Sequence, residues 1–202
     1  MEPAAFEPLK AKDALAIDAA IGTETGTVFR SLYTDVIAGS LIHDISLLRS
    51  LLGPITSIDS AAQWGQGADA GSLEFGGTIG NSARVHMHWH YLADYPDYHE
   101  TVRIHHSTGT LELEFTVPYL LNAPTELRIV ARAGAGESRS VVRDVTEAFE
   151  SELIAFHRLA AEGIAAPTGI AEGRVDLVTA LQLGRALAAS QNITIGGEAI
   201  KA

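Results

Sequence analysis

Seven short segments between residues 55 and 145 alternate apolar with polar side chains, and turn-forming residues separate them. A period of two is typical of β-strands, and links this short predict hairpins and therefore antiparallel pairing. The predicted strands cover residues 55–64, 72–79, 82–91, 100–106, 110–115, 127–132 and 138–145. A centre built from hairpins restricts the chain to all-β or α+β folds.

Helical spacing of apolar residues flanks these strands and predicts helices over 6–20, 40–52, 149–163 and 171–190. Asp144 and Glu147 are interpreted as a capping box before the third helix, whose stripe of Phe149, Leu153, Phe156 and Ala160 is expected to be buried. Residues rich in β-branched side chains at 27–34 and 193–195 predict two further strands. The sequence thus predicts one α+β domain over 1–202, an open, mostly antiparallel sheet with helices packed on one face. Its parts are an N-terminal helix (1–20), the sheet with helix 40–52 (21–145), paired helices (146–190) and a tail (191–202).

Composition excludes several classes of function. The 202 residues include 14 basic and 25 acidic side chains, a net charge of −11, which argues against nucleic acid or anionic membrane as partners. The chain has no cysteine, so disulfides, thiolate metal sites and cysteine nucleophiles are ruled out. We expect no signal peptide and no membrane span, and hence a cytoplasmic protein.

The helix at 40–52 presents a titratable group on a rigid element. Leu41, Ile45, Leu48 and Leu52 form its apolar stripe, and His43 falls on the other side. Asp44 follows His43 directly, in the first turn, where a carboxylate suits the helix dipole.

Three histidines occupy every second position of the predicted strand 82–91. His86, His88 and His90 share one strand face, because alternate residues of a strand point the same way. Same-face neighbours about 6.6–6.8 Å apart can supply two ligands to a divalent metal but strain a third. A solvated or interfacial polar face is the alternative that we favour, and we assign no metal to this strand.

No nucleotide-binding motif is present. The nearest glycine cluster, residues 133–136, lies between two predicted strands and is interpreted as a hairpin. A dinucleotide site would need a glycine-rich turn between a strand and a helix.

Several loose motifs, in order along about 180 residues, resemble one family. Residues 21–30 are similar to a family segment xGxIGxVxxV, residues 41–53 to xxxHxxDxxRxLxG, and residues 102–112 to a hairpin IxGxxGxLxL. Residues 149–163 and 173–190 resemble paired final helices. The family is the Gfo/Idh/MocA group of NAD(P)-dependent sugar and cyclitol oxidoreductases. The resemblance is to its C-terminal α+β domain, which is like that of glyceraldehyde-3-phosphate dehydrogenase, without the Rossmann domain.

The resemblance implies a catalytic Lys, Asp and His, of which only His43 has a counterpart here. Gly39 stands at the Asp position, Asp35 is off the motif, and no lysine lies in a Glu-Lys-Pro segment. Candidate substrate-binding residues are Arg84, His86, His88, His90, Tyr95 and Tyr98. The chain alone is expected to bind no cofactor, and NAD(P) is implied only with a Rossmann-domain partner.

Three hypotheses for function follow. The first is the substrate-binding and oligomerisation half of such an oxidoreductase, inactive alone, acting on a small polyhydroxylated substrate and forming a homodimer or higher oligomer through an open sheet face. The second is a non-catalytic binding or assembly module. The third, less favoured, is a metal-dependent enzyme built on the histidine strand.

Overall fold

The computed structural model describes residues 7–65, 71–92, 94–95 and 97–202. Within these ranges the chain forms two compact units. Unit 1 comprises the described residues of 1–92 together with 168–202, and unit 2 comprises those of 93–167. A compact unit is a set of residues in mutual contact and not a folding domain, so the single-domain assignment stays a prediction.

Helices lie at both ends of the chain, as predicted. In chain order they are α1 (Glu7–Ile21), α2 (Thr27–Ser31), a π-helical segment (Leu32–Leu41), α3 (Ile42–Leu52), α4 (Ala148–Glu162), α5 (Ile170–Ser190) and a 3-10 helix (Gly197–Ile200). In the described part of the chain, none of them combines the length and apolar character needed to cross a bilayer.

The strands form two sheets, both antiparallel and both in sequence order. Unit 1 contains β1 (Ile55–Trp64), β2 (Ser72–Ile79) and β3 (Ala83–His90), and unit 2 contains β4 (Glu100–His106), β5 (Gly109–Phe115), β6 (Thr125–Ala133) and β7 (Gly136–Asp144). The predicted α+β class with antiparallel pairing is confirmed. The division of the strands between two sheets was not foreseen.

The core of unit 1 lies between its sheet and its helices. Trp89 of β3 donates from Nε1 to Ser40 Oγ at 3.1 Å, and Gln191 at the end of α5 donates to Gln63 of β1 at 2.6 Å. Gln63 and Trp89 both lie opposite Leu73 of β2, so they share one sheet face. Helices therefore cover that face, as predicted. The largest fully buried side chains are Ile21, Ile37, Leu41, Ile45, Leu73, Ile79, Leu183 and Leu187.

The sheet of unit 2 has one charged and one apolar face. On the charged face Glu112 pairs with Arg103 and Arg128, and the contact with Arg103 chiefly holds the pKa of Glu112 below its usual range. Arg128 also contacts Glu114 and Glu126 at 2.8 and 2.7 Å. The register places apolar residues together on the other face: Val102, Ile104, Leu111, Leu113, Leu127, Ile129 and Val142.

The strand predicted at residues 27–34 is wrong, because these residues are helical. Phe29, Leu32, Tyr33, Val36 and Ile37 are all buried and recur at helical spacing. Burial of that stripe outweighs the weak strand preference of the β-branched residues. The helix predicted at 40–52 is therefore the last part of a longer helical stretch.

Three smaller predictions are also wrong. Residues 193–195 form no strand, since they follow the end of α5 without a pairing partner. The capping box is absent: Asp144 bonds the backbone and hydroxyl of Thr146, and Glu147 caps α4 without a side-chain bond. The α4 stripe of Phe149, Leu153, Phe156 and Ala160 is exposed rather than buried, although the ring of Tyr119 stacks on Phe149 with centroids 6.0 Å apart.

Candidate functional site

His43 lies in the first turn of α3 with its side chain exposed. Gly39 and Asp35, four and eight residues earlier in the π-helical segment, are exposed as well. Behind this exposed side, Leu41, Ile45 and Leu48 are buried as predicted, whereas Leu52 is 37% exposed at the helix end. The imidazole is thus held at the surface by a helix whose opposite side is fixed in the core.

Gly39 has a structural reason to be glycine. A β-carbon built at this position would come within 2.8 Å of the backbone carbonyl oxygen of Thr34. Runs of π-helix are uncommon and cluster at functional sites. The winding of this segment therefore disfavours any side chain, including the aspartate that the family resemblance implies, at position 39.

An ion pair that sequence reasoning missed joins α3 to α5. Arg49 donates from Nε and Nη2 to the two carboxylate oxygens of Asp176, at 2.6 and 3.1 Å. Asp176 is 3% exposed, and its hydrogen bond is the main cause that raises the pKa of Arg49 above the usual range. The available signal was an acidic residue on the buried stripe of α5, in line with Thr179, Ala180 and Leu183. This bidentate pair fixes the helix that presents His43.

The face of the unit 1 sheet away from the helices carries the predicted substrate-binding residues of β3. Arg84, His86, His88 and His90 are exposed, and Met87 between them is buried, as strand alternation predicts. We call these four residues the histidine row. His86 lies beside Gly76, whose absent β-carbon would stand 3.5 Å from the imidazole.

Contacts between aromatic rings hold His88 and His90, at one end of the histidine row, in place. His88 and His90 stack with centroids 6.3 Å apart and planes at 11°, and Trp64 meets His90 edge-on at 5.9 Å. His90 Nδ1 is hydrogen-bonded to Ser72 Oγ at 2.9 Å, and His88 Nδ1 is 4.0 Å from a carboxylate oxygen of Glu74. In the described part of the chain no three His, Asp or Glu side chains converge in a geometry that could hold a metal ion.

Arg84 is already engaged at the other end of the histidine row. It pairs with Asp59 of β1 and donates to Thr78 Oγ1 at 3.1 Å. The hydrogen bond from Arg84, assisted by one from Ser57, holds the pKa of Asp59 below its usual range. Arg84 therefore forms a cross-strand ion pair with Asp59, and an anionic ligand would have to compete with Asp59 for the guanidinium group.

The structure does not bring His43 and the histidine row together. On the helix-covered face of β3, Trp89 contacts Ser40, which lies three residues before His43. His88 and His90 flank Trp89 and point to the opposite face. His43 and the histidine row therefore belong to opposite sides of the sheet and form two separate candidate surfaces.

The two candidate tyrosines belong to unit 2. Tyr95 and Tyr98 are 57% and 45% exposed, and Tyr98 donates its hydroxyl hydrogen bond to Glu100. Their assignment as substrate-binding residues stays a prediction.

The glycine cluster at 133–136 lacks the strand–turn–helix arrangement of a dinucleotide site. The glycine cluster at 133–136 is the predicted hairpin, in which Ala133 pairs with Gly136 across Gly134 and Ala135. Gly134 has φ of +61°, which a tight two-residue turn requires. No helix begins there to receive a phosphate group.

Comparison with solved structures places the fold among oxidoreductases. The fold is the α+β C-terminal domain of this class, which confirms the prediction made from the resemblance. UDP-N-acetylglucosamine 3-dehydrogenase GnnA from Acidithiobacillus ferrooxidans is similar with a TM-score of 0.62 and 24% identity, over 79% of this chain and 50% of that one. The Bacillus subtilis protein yvaA, classed as an oxidoreductase, is similar with a TM-score of 0.55 and 11% identity, over 82% and 52%.

The chain spans about half the length of these proteins. No protein-family model matches the sequence. No curated protein matches it either.

Proposed function

We propose that this chain is the substrate-binding half of an NAD(P)-dependent oxidoreductase acting on sugars or cyclitols, truncated or completed by a separate dinucleotide-binding partner. The observation that carries the proposal is the likeness to half of a UDP-N-acetylglucosamine 3-dehydrogenase. A nucleotide-activated or free sugar is the corresponding substrate class. We assign the redox chemistry to the partner and not to this chain, because the glycine cluster at 133–136 is a hairpin between two strands.

His43 is the proton-transfer group in this proposal. An imidazole can accept a proton from a substrate hydroxyl, or return one, near neutral pH. Its exposure leaves the ring open to a ligand, and the Arg49–Asp176 and Ser40–Trp89 contacts hold its helix in place. Rigid presentation of this kind is what a positioned acid or base needs.

The histidine row has a different role in this proposal, because it faces away from the helices. We assign it to the open sheet face through which copies of the chain associate. Exposed imidazoles and Trp64, which is 43% exposed, supply aromatic contacts of the sort enriched at interfaces. Sedimentation of the variant H86A/H88A/H90A tests this role: the mass of its assembly should be lower than that of the wild type, and an unchanged mass would contradict the role.

A non-catalytic binding module is the second candidate function, and Gly39 favours it. The catalytic aspartate implied by the resemblance is absent, and the π-helical winding leaves little room to restore it. Such a module would retain a sugar-binding surface without proton transfer.

Calorimetry on the chain of residues 1–202 separates these functions. We expect no heat of binding with NADH, and binding of UDP-N-acetylglucosamine or a free sugar that weakens about tenfold in H43A. The control is S50A, since Ser50 is exposed on the same helix and bonds only the Ser46 carbonyl.

Each of the other possible results would exclude one of the proposed functions. Micromolar binding of NADH would overturn the proposal that redox chemistry lies outside this chain. Sugar binding that is equal in wild type, H43A and S50A would remove His43 from the site and leave the binding module. Failure of every sugar would overturn the substrate-binding role itself.

A further inference from the structure

No strand of the described residues pairs with the outer edge of β7. All nine of its residues are exposed, and it stands last in the order β4–β5–β6–β7. Its pairing with β6 runs without a register shift from Asp144 to Gly136. The strand contains no proline and no lysine, two common devices by which natural edge strands resist pairing.

The hairpin fixes which backbone groups point outward. Arg132 of β6 donates its N–H to Thr108 on the side of β5, so Arg132 and its partner Glu137 are a non-hydrogen-bonded pair. Alternation along the strand then directs the N–H and C=O groups of Glu137, Arg139, Val141 and Arg143 away from β6.

We propose that β7 pairs antiparallel with β7 of a second copy, with Ser140 on the two-fold axis, to join two four-stranded sheets into one. Full overlap of two such strands centres on Ser140. This register places Glu137 opposite Arg143 of the second copy, twice by symmetry, and Arg139 opposite Val141. Within one copy Glu137 already contacts Arg139 at 2.5 Å, and Arg143 is 3.5 Å from Glu126, so the contact between copies would extend these surface ion pairs. The four outward-facing residues of each strand would then supply roughly eight backbone hydrogen bonds.

Charge selects this register over its neighbours. A shift by one residue on each strand towards the hairpin places Arg139 opposite itself, and the reverse shift places Arg139 opposite Arg143. Like charges directly opposite are destabilising in an antiparallel pair, whereas opposite charges stabilise it. Of the registers that overlap at least seven residues of each strand, only the one centred on Ser140 pairs Glu137 with an arginine and keeps the arginines apart.

The other edge of the same sheet is not suited to self-pairing. The hairpin register of β4 turns the backbone groups of Thr101, Arg103 and His105 outward. Full overlap of two β4 strands would place the two Arg103 guanidinium groups opposite each other. The contrast between β4 and β7 makes the second copy, and not any extended peptide, the occupant that the charge pattern of β7 fits.

Single-cysteine variants test both the pairing and its register, because the chain has no cysteine of its own. Two Ser140 residues would form a non-hydrogen-bonded pair with Cα atoms about 4.5 Å apart, within reach of a disulfide. Two Ser138 residues would lie four positions apart along the strand, about 13 Å or more. We therefore expect S140C, and not S138C, to give a cross-linked dimer on mild oxidation; cross-linking of S138C alone, of both variants equally, or of neither overturns the proposal.

Removal of an outward N–H is the second test. V141P deletes a donor that does not bond β6, so the sheet should fold while the dimer dissociation constant rises about tenfold or more. V141T keeps the donor and should behave as wild type in sedimentation, with circular dichroism confirming the fold of both. A V141P protein as dimeric as V141T overturns β7 pairing. This proposal does not depend on the proposed function. The comparison of V141P with V141T is made in the H86A/H88A/H90A background, in which association through the histidine row is removed and cannot mask the loss of β7 pairing.

Discussion

Units 1 and 2 differ in what they bury. Unit 1 holds every described side chain that is buried, including the Asp176 carboxylate and its partner from α3. Unit 2 has a complete antiparallel sheet and a 15-residue helix, but none of its described residues is buried. Its sheet is held by backbone bonds and by surface ion pairs, which contribute little individually. Unit 1 is thus stabilised by side chains buried in its own core, whereas the apolar side chains of unit 2 remain partly or fully exposed to solvent.

The largest expected effect concerns the ion pair of unit 1. D176A leaves the Arg49 guanidinium, whose side chain is 13% exposed, without a carboxylate and with Ser46 Oγ as its remaining hydrogen-bond acceptor. Loss of one member of a buried pair costs about 3–5 kcal/mol, and we expect the lower end of that range here. Urea unfolding followed by circular dichroism measures the loss. The double variant R49M/D176L should recover most of it, since an apolar pair can replace a buried ion pair; equal destabilisation in both proteins would refute this explanation.

Matched leucine truncations test the contrast between the units directly. Leu183 is fully buried in α5, so L183A should cost about 2–5 kcal/mol of unfolding free energy. Leu153 of α4 is 69% exposed, and L153A should stay within about 0.5 kcal/mol. A large loss on L153A would mean that α4 is already covered in solution.

The π-helical segment gives a third comparison, between two helical glycines. G39A drives a β-carbon towards the Thr34 carbonyl and should cost roughly 1–3 kcal/mol. A β-carbon at Gly173 of α5 meets nothing within 4 Å, so G173A should gain up to about 1 kcal/mol from helix propensity. Thermal unfolding of both variants checks the sign, and a stabilising G39A would show that the segment is not wound as described.

The smallest expected effect is a loss of unfolding free energy at alkaline pH that arises from Tyr33. Burial, with a further contribution from Glu198, raises the pKa of Tyr33 from 10.0 to about 12. Because the folded pKa is the higher, this contribution to stability is complete below pH 10 and is lost as pH rises towards 12. Wild type should therefore lose unfolding free energy relative to Y33F over that window. A difference that stays constant from pH 9 to pH 12 would contradict the burial of the phenol.

Much of the fold could be predicted from local sequence. The hairpin alternation located all seven strands of residues 55–144, and helical spacing located α1, α4 and α5, because both periods are set by backbone geometry. The strand prediction for residues 27–34 was wrong, because the strand preference of a short β-branched run is weak and burial of its apolar side chains in a helix outweighs it. The helical spacing of Phe29, Leu32, Tyr33 and Val36 already carried the right signal.

The sequence predicted the exposed faces that carry the candidate site residues, but not how these faces lie relative to each other. Strand alternation by itself placed His86, His88 and His90 on one face, and the helical stripe by itself placed His43 at a surface. Only the tertiary structure decided that these two surfaces lie on opposite sides of the sheet, because the side on which a helix packs depends on contacts such as Trp89 with Ser40. It also decided that Arg49 and Asp176, 127 positions apart, meet, and that α4 stays uncovered. Periodicity is a local property of the chain, but pairing partners and coverage depend on residues far apart in it.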